Sequence, residues 1–505
     1  MPRPRRIRFA DPDGQVTSLA TGPQAFESLL SGKEASLVLG LGPEPSSLTE
    51  LCATKPVYWI EHPEFIARME EIQTGWLQTI PETWQRIQTH ALPNLPLDTA
   101  CFFYRQNLRL FPDFWGAVRA SLLARSLPAA TGSSRTQVLL PGTDTDLLTQ
   151  ELTQALRVEG FDVIRPKAAC STKDLLALLH NSCPAFCLSV NLRGCDPEGN
   201  NFYLLRECGV PTVIWLVDMP WHILSALRTR WWCKAILCVS DASFIPALKA
   251  AGAQQVFHLP LAAWHFAPPA QPADRQLERI VFVGRSAFPG KAAFFGASTV
   301  PEALLEEARE LLAQVGTVPD FHWWSRKLAV QRYWPGHEAR RAGLGAESSA
   351  LTRRTQWLRA ALPLGLTVFG DADWRRHLPE LEDLRPPVDY YKTAQQVYAQ
   401  ARYSLNCTSL LLPAALTQRH FDVWAAGGFL LSAPTPGLDI FPQELGREIC
   451  PPHPAKLAEY LGRFENGNSL RSDLQKAWQA CLVQKHQYRH RVQYVCELLS
   501  NLHLA

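Results

Sequence analysis

No stretch of the 505 residues approaches the roughly 18 consecutive apolar positions that a membrane-spanning helix needs. The basic opening "MPRPRRIRF" is not followed by an apolar run of signal length. A soluble chain working in the cytoplasm is therefore expected. Charge of one sign is scarce: 50 Lys and Arg against 47 Asp and Glu leave a formal +3, too little to point to nucleic acid. The bias that keeps chains unfolded is missing as well, since 47% hydrophobic and 19% charged residues make an ordinary globular composition. Paired cysteines are lacking. The 13 cysteines are odd in number and scattered, with Cys187 in "AFCLSV" and Cys238 in "AILCVS" placed as reduced core residues are. Cys183, Cys187, Cys195 and Cys208 have neither C-x2-C spacing nor a histidine in register, so no metal site is expected.

What is there is enough chain for two to four domains, at roughly 100–200 residues each. Residues 1–130 form an accessory α/β segment, with a strand in "ASLVLGLG" and another in "PVYWIEHPEF". Gly40, Gly42 and Glu61 outline a nucleotide site there, but the segment is too short for a complete dinucleotide or methyltransferase fold; a structural βαβ unit is expected. From about 135 the pattern becomes regular. "TQVLLPG", "FDVIRP", "PAFCLSVN", "TVIWLVD", "AILCVS" and "QVFHLP" are short apolar runs separated by helix-length segments, the pattern of a buried parallel sheet. The Asp144–Thr145 region is expected to cap the first helix.

The Pro-rich stretch 264–276 reads as a linker between this domain, 131–270, and a second one, 271–465. The second begins with "RIVFVG", continues through "LTVFGD", "YSLNCT" and "GGFLLSA", and carries a helical insertion at 301–362. Residues 466–505 read as helices. Two doubly wound, Rossmann-like domains facing a crevice are expected, with ligands beyond the carboxyl ends of the strands.

The candidate residues sit at those strand ends. "VFVGRSAFPGK" leaves a strand through Gly284 and offers Arg285 and Lys291, a cation pair suited to a diphosphate. Asp371 and Asp373 in "VFGDADW" are read as turn or cap residues. Asn406 ends the strand of "YSLNCT". In "RHFDVWAAGGFLLSA" a helix starting near Gln418 puts Arg419 and Asp422 in its first turns, where anions are favoured; a spacing of three sets both on one face, to hold a phosphate and a ribose or sugar hydroxyl, or to pair with each other. Gly427 and Gly428 end that helix and admit the chain to the next strand. In "TVIWLVDMPWHIL", Asp218 ends a buried strand at the crevice, with His222 one helical turn on; Asp218 is the candidate base or acceptor anchor, or a cap, and His222 the second.

The run from "DYYKTAQQVYAQARYSLNCTSLLLPAALTQRHFDVWAAGGFLLSA" to "GREI" resembles the carboxy-terminal half of the group 1, CgeB-like bacterial glycosyltransferases. "VIWLVDMPW", "CVSDASFIPALKAAGAQQVFHLPLAA", "IVFVGRS" and "VFGDADW" resemble that family's blocks in the same order, over about 190–450. The first 130 residues are similar, more loosely, to the leading segment of flagellin-modifying proteins. The resemblance implies a GT-B fold and transfer of a sugar from a nucleotide diphosphate sugar to a protein such as flagellin or to a surface glycan, without an obligatory metal or other cofactor. It implies that Arg285 and Lys291 are diphosphate cations, Asn406 and Arg419 polar residues of the donor loop with Gly284, Gly427 and Gly428 around them, and Asp422 the ribose acid. Relatives carry two glutamates eight positions apart; here the second position is Asp422 and the first is Ala414, so neither retention nor inversion of configuration follows. A binding protein that holds nucleotide sugar without turnover, or a nucleotide-sugar epimerase of the same architecture, would share most of these motifs.

Overall fold

The computed structural model describes residues 7–504 apart from 11–13, 15, 53–54, 126, 128–135, 168, 265–279, 315 and 467–468. The expected linker from residue 265 on, and the expected boundary near 130, lie outside the described residues.

A short antiparallel pair, β1 (Arg8–Ala10) and β2 (Val16–Ser18), precedes a five-stranded sheet of β3 (Phe26–Leu30), β4 (Ala35–Leu39), β5 (Val57–Ile60), β6 (Gln85–Arg86) and β7 (Thr99–Tyr104). Its order is β3-β7-β4-β5-β6, with β3 alone antiparallel. Glu61 is buried at the end of β5, and both its oxygens turn inward: Oε2 accepts from the Leu41 N–H at 2.6 Å and Oε1 from the His62 N–H at 2.8 Å. Burial pushes its carboxyl up to about 8 against the pull of those two backbone donors. A Cβ at Gly40 would stand 2.4 Å from the side chain of Asn107, which fills the turn. The acid that a ribose would need is thus spent on the unit's own backbone. This unit has its own core and docks through Pro112–Ala124, where Gly116 lies against the Tyr203 ring and the Tyr203 hydroxyl donates to Asp113 at 2.8 Å.

The next sheet is wholly parallel: β8 (Gln137–Leu139), β9 (Asp162–Ile164), β10 (Phe186–Val190), β11 (Thr212–Leu216), β12 (Ile236–Val239) and β13 (Gln255–His258), in the order β13-β12-β11-β10-β8-β9. Every residue of β10, β11 and β12 is buried, because helices cover both faces. The helix after β8 runs Thr149–Val158, and Leu148 rather than Asp144 or Thr145 stands at its start. The third sheet, also parallel, holds β14 (Ile280–Val283), β15 (Leu366–Phe369), β16 (Asp383–Arg385), β17 (Tyr403–Asn406) and β18 (Leu430–Ser432), in the order β16-β15-β14-β17-β18. These are two Rossmann-like domains, each built on a parallel sheet. One continuous buried cluster runs through both.

Between β14 and β15 lie the inserted helices Glu302–Leu312, Phe321–Lys327 and His337–Ala361. They lean on the first Rossmann domain: Tyr333 stacks on Trp221 at 5.0 Å, and Trp334 Nε1 donates to the Leu224 carbonyl at 3.2 Å. The 25-residue helix His337–Ala361, about 38 Å long at 1.5 Å per residue, runs from His222 of one domain, packed against Gly343, to the core of the other at Trp357. The last helices divide likewise. Trp478 of Leu470–Lys485 stacks on Trp424 at 5.1 Å, while Arg491 of Tyr488–Asn501 returns to the Pro260 and Leu261 carbonyls at 2.8 and 2.9 Å. Among the described residues no helix is long and apolar enough to cross a membrane.

Candidate active site between the two Rossmann domains

The carboxyl ends of β11, β14 and β17 converge on a cavity of about 550 Å³. Each strand hands over to a polar residue there: β11 to Asp218, β14 to Arg285 through Gly284, and β17 to Ser409. β14 and β17 are neighbours in the sheet with crossovers leading away on opposite sides, the place where a parallel sheet leaves a crevice for a ligand.

The first domain supplies Asp218. Its Oδ2 accepts from Asn191 Nδ2 at 2.7 Å, and Asn191 Oδ1 in turn accepts from the Val217 N–H at 3.0 Å, so the carboxylate is held at one angle. Crowding by protein pushes its carboxyl above the usual range, opposed by Asn191 and the charge of Arg193. His222 also lines the cavity. Its ring lies 4.8 Å from Phe294 and against Gly343, where a Cβ would come within 2.3 Å of Nε2. Burial and the Arg340 charge push His222 down to about 4, so it is neutral at pH 7 and a poor proton acceptor. Of the two first-domain candidates, Asp218 is the one fitted to take a proton.

The second domain supplies cations. Arg285 lines the cavity together with Arg354, which comes from the long inserted helix. Arg354 Nη1 donates to the Arg285 carbonyl at 2.9 Å, and its Nη2 reaches Glu347 Oε1 at 3.4 Å. The same oxygen takes Lys291 Nζ at 3.3 Å. Glu347 is buried and sits two turns before Arg354 on one helix face. One carboxylate therefore holds two cations, with Arg285 beside them, and the wall is net positive.

The remaining expected residues lie behind this wall. Asn406 is buried, with Oδ1 accepting from Arg419 Nε at 2.7 Å and from Thr417 Oγ1 at 3.2 Å. Arg419 Nη1 donates to the Val283 carbonyl at 2.6 Å, and the guanidinium lies 5.7 Å from the Phe282 ring. Arg419 thus ties the ends of β14 and β17 together. The spacing of three predicts Arg419 and Asp422 on one face; in the structure they part. Helix Arg419–Ala425 is only seven residues long, and the Thr417 N–H just before it already donates to His420 Nδ1 at 3.0 Å. Asp422 is buried, accepting from the Tyr390 hydroxyl at 2.7 Å and Gln418 Nε2 at 3.0 Å. Gly427, at φ 79°, and Gly428, where a Cβ would meet the Tyr398 carbonyl at 2.6 Å, stand at the amino end of β18, the edge opposite the cavity. Asp371 accepts from the Ser286 N–H at 2.7 Å and from Ser286 Oγ at 2.6 Å, fixing the turn that carries Arg285.

Residues 353–497 match a family model described as "Glycosyl transferase-like". Of the residues lining the cavity, Arg354, Ser409, Leu411 and Leu412 fall within that match. The match begins one residue before Arg354 and takes in β15 to β18 and most of the terminal helices. A solved alpha1,3-fucosyltransferase aligns over 70% of this chain and 87% of its own, at 8% identity and a TM-score of 0.32, a likeness too loose to place any residue. A search of curated proteins finds no match.

Arg285 alone of the second-domain candidates lines the cavity, with Lys291 one contact behind it. Glu347 and Arg354 were not anticipated. Their signal was present as an acid and a base seven apart within a helix. Nothing in that spacing says which way the face points. Among the described residues no group of three or more His, Cys, Asp or Glu could hold a metal ion.

Proposed function

We propose that this chain transfers a glycosyl group from a nucleotide diphosphate sugar to a hydroxyl acceptor. The observation that carries this reading is the facing of Asp218 from one Rossmann domain and the Arg285–Arg354 pair from the other across a single cavity, in a chain whose residues 353–497 match a glycosyltransferase-like model. The diphosphate gains charge as the bond to the anomeric carbon breaks, so guanidinium groups already in place lower the barrier. Asp218 takes the acceptor proton as its oxygen attacks. With two arginines at the phosphates and Lys291 behind them, the reading requires no metal ion.

Three further points belong to the proposal. The family likeness is to the CgeB-like branch, the acceptor belongs to the cytoplasmic stage of protein or surface-glycan modification, and Asp422 supports the donor side through Tyr390 and Gln418. Incubation of the purified chain with a panel of nucleotide sugars is expected to release nucleoside diphosphate, faster with acceptor. Binding without release would support a non-catalytic protein, and an altered sugar without acceptor would support an epimerase; either result overturns the proposal.

A further inference from the structure

The cavity walls are unequal in chemistry. Against the cations of one side stand Met219, Ile223, Phe288, Phe294, Leu411 and Leu412. Phe288 is 36% exposed at the protein surface, although leaving a phenyl ring in water forgoes a sizeable hydrophobic gain. Its ring centroid lies 6.0 Å from Phe294 and 5.8 Å from Phe295, both edge to face, and the neutral His222 ring closes the group at 4.8 Å from Phe294. This is an open aromatic cluster with room for one more ring in an edge or offset contact.

The polar groups on that cavity are few and mostly engaged. Glu347 is taken by Lys291 and Arg354, and Arg354 by the Arg285 carbonyl. An acceptor would meet Asp218, whose Oδ2 already accepts from Asn191, and Ser409, whose Oγ accepts from the Leu411 N–H at 3.3 Å, with the Arg285 guanidinium on the donor side. An unsubstituted sugar brought against the apolar wall would leave several hydroxyls without partners, each at a cost comparable to a lost buried hydrogen bond. A ring with a single reacting hydroxyl beside it meets no such cost.

Building on the glycosyl-transfer reading, we propose that the acceptor presents its hydroxyl next to an aromatic ring, which packs on Phe288 and Phe294 while the hydroxyl faces Asp218. In the reaction the hydroxyl oxygen bonds to the anomeric carbon, the carbon–oxygen bond to the diphosphate breaks, its electron pair leaves with the phosphate, and the hydroxyl proton passes to the Asp218 carboxylate.

The test compares 4-nitrobenzyl alcohol, a ring with one hydroxyl beside it, with methyl β-D-glucopyranoside by calorimetric titration of the full chain, with inorganic pyrophosphate titrated into the same preparations. The aryl alcohol is expected to bind at least tenfold more tightly than the methyl glucoside, and Phe288→Ala, at an exposed position, to erase that preference without lowering Tm. Equal affinities, or a preference that survives both Phe288→Ala and Phe294→Ala, overturn the inference. Pyrophosphate separates the two claims: if it binds and Arg354→Ala abolishes binding while no aryl preference is found, the acceptor inference fails and the transfer reading stands. If pyrophosphate does not bind, the transfer reading itself falls.

Discussion

The guanidinium of Arg354 donates from Nη1 to the backbone carbonyl of Arg285 at 2.9 Å, so an inserted helix fixes the residue that the strand end delivers. Both side chains line the cavity, and of the five N–H groups of the Arg354 guanidinium those not given to this carbonyl, Glu347 and the Ala350 carbonyl can reach a phosphate. Arg354→Ala is therefore expected to weaken nucleoside diphosphate binding by about 10- to 100-fold, the range for charge-assisted hydrogen bonds. Arg354→Lys should recover only part. Calorimetry with UDP and GDP checks this, and unchanged affinity for both would show that the phosphate wall has been misassigned.

Glu347 pairs with two cations from a buried position. Removing its charge leaves Lys291 and Arg354 facing each other with no anion between, and breaking a buried pair in this way costs several kcal/mol. For Glu347→Gln a loss of roughly 2–4 kcal/mol is expected, since Lys291 and Arg354 keep some contact with water. Added pyrophosphate should raise Tm more in the variant than in the parent, because the ligand supplies the missing anion. A smaller rise in the variant would contradict the arrangement.

Asp218 must be ionised to accept a proton, and crowding pushes its carboxyl above the ordinary range. Activity should fall as pH drops through that raised value, giving an acid limb displaced upward from about 4. Asp218→Asn is expected to remove the limb and lower kcat by roughly 10²- to 10⁴-fold. His222, pushed down to about 4, contributes no limb near neutrality. In His222→Gln the rate changes only through packing, and a shifted limb would assign the proton to the histidine instead.

Asp422 is buried between Tyr390 and Gln418, and burial pushes its carboxyl up to about 7 against the two hydrogen bonds. Since the folded value lies above the unfolded one near 3.9, the folded chain holds the proton more firmly. Its contribution to stability is fully present below pH 4 and is lost as pH rises through about 7. Asp422→Asn, which cannot ionise, should flatten the fall in Tm between about pH 4 and 7 measured by scanning fluorimetry. An identical slope in parent and variant would remove Asp422 as a source.

Gly345 lies in the middle of the long helix, where a Cβ would come within 2.2 Å of the Trp324 ring. Alanine is the better helix former by about 1 kcal/mol, yet Gly345→Ala should destabilise the chain by roughly 1–3 kcal/mol, as overpacking does. Denaturant unfolding gives the sign directly.

Much of the architecture is written in short-range pattern. Runs such as "TVIWLVD" and "IVFVG" suit strands buried on both faces, and their spacing, which leaves room for crossover helices, points to a parallel sheet. The places of Asp218 and Arg285 on the cavity were legible because they end such runs, and strand ends are where open sheets leave a crevice. Arg419 and Asp422 misled because a spacing of three fixes a common helix face but not what packs there: β14 claims one side chain and Tyr390 the other. Gly427 and Gly428 were legible as backbone and sit away from the cavity for the same reason, since a helix leading into a parallel strand ends at the amino edge.

By itself, then, the sequence determined the two sheets, their order along the chain and the residues at the strand ends, all consequences of local burial and turn chemistry. Only the tertiary structure decided which groups meet. Arg354 lies 69 positions from Arg285 and Glu347 56 from Lys291, and what brings them together is the inserted helix wedged between the domains, seated by Gly343 on His222 and Gly345 on Trp324. Close packing at those two glycines sets the helix's depth and rotation, and no periodicity along the chain encodes either.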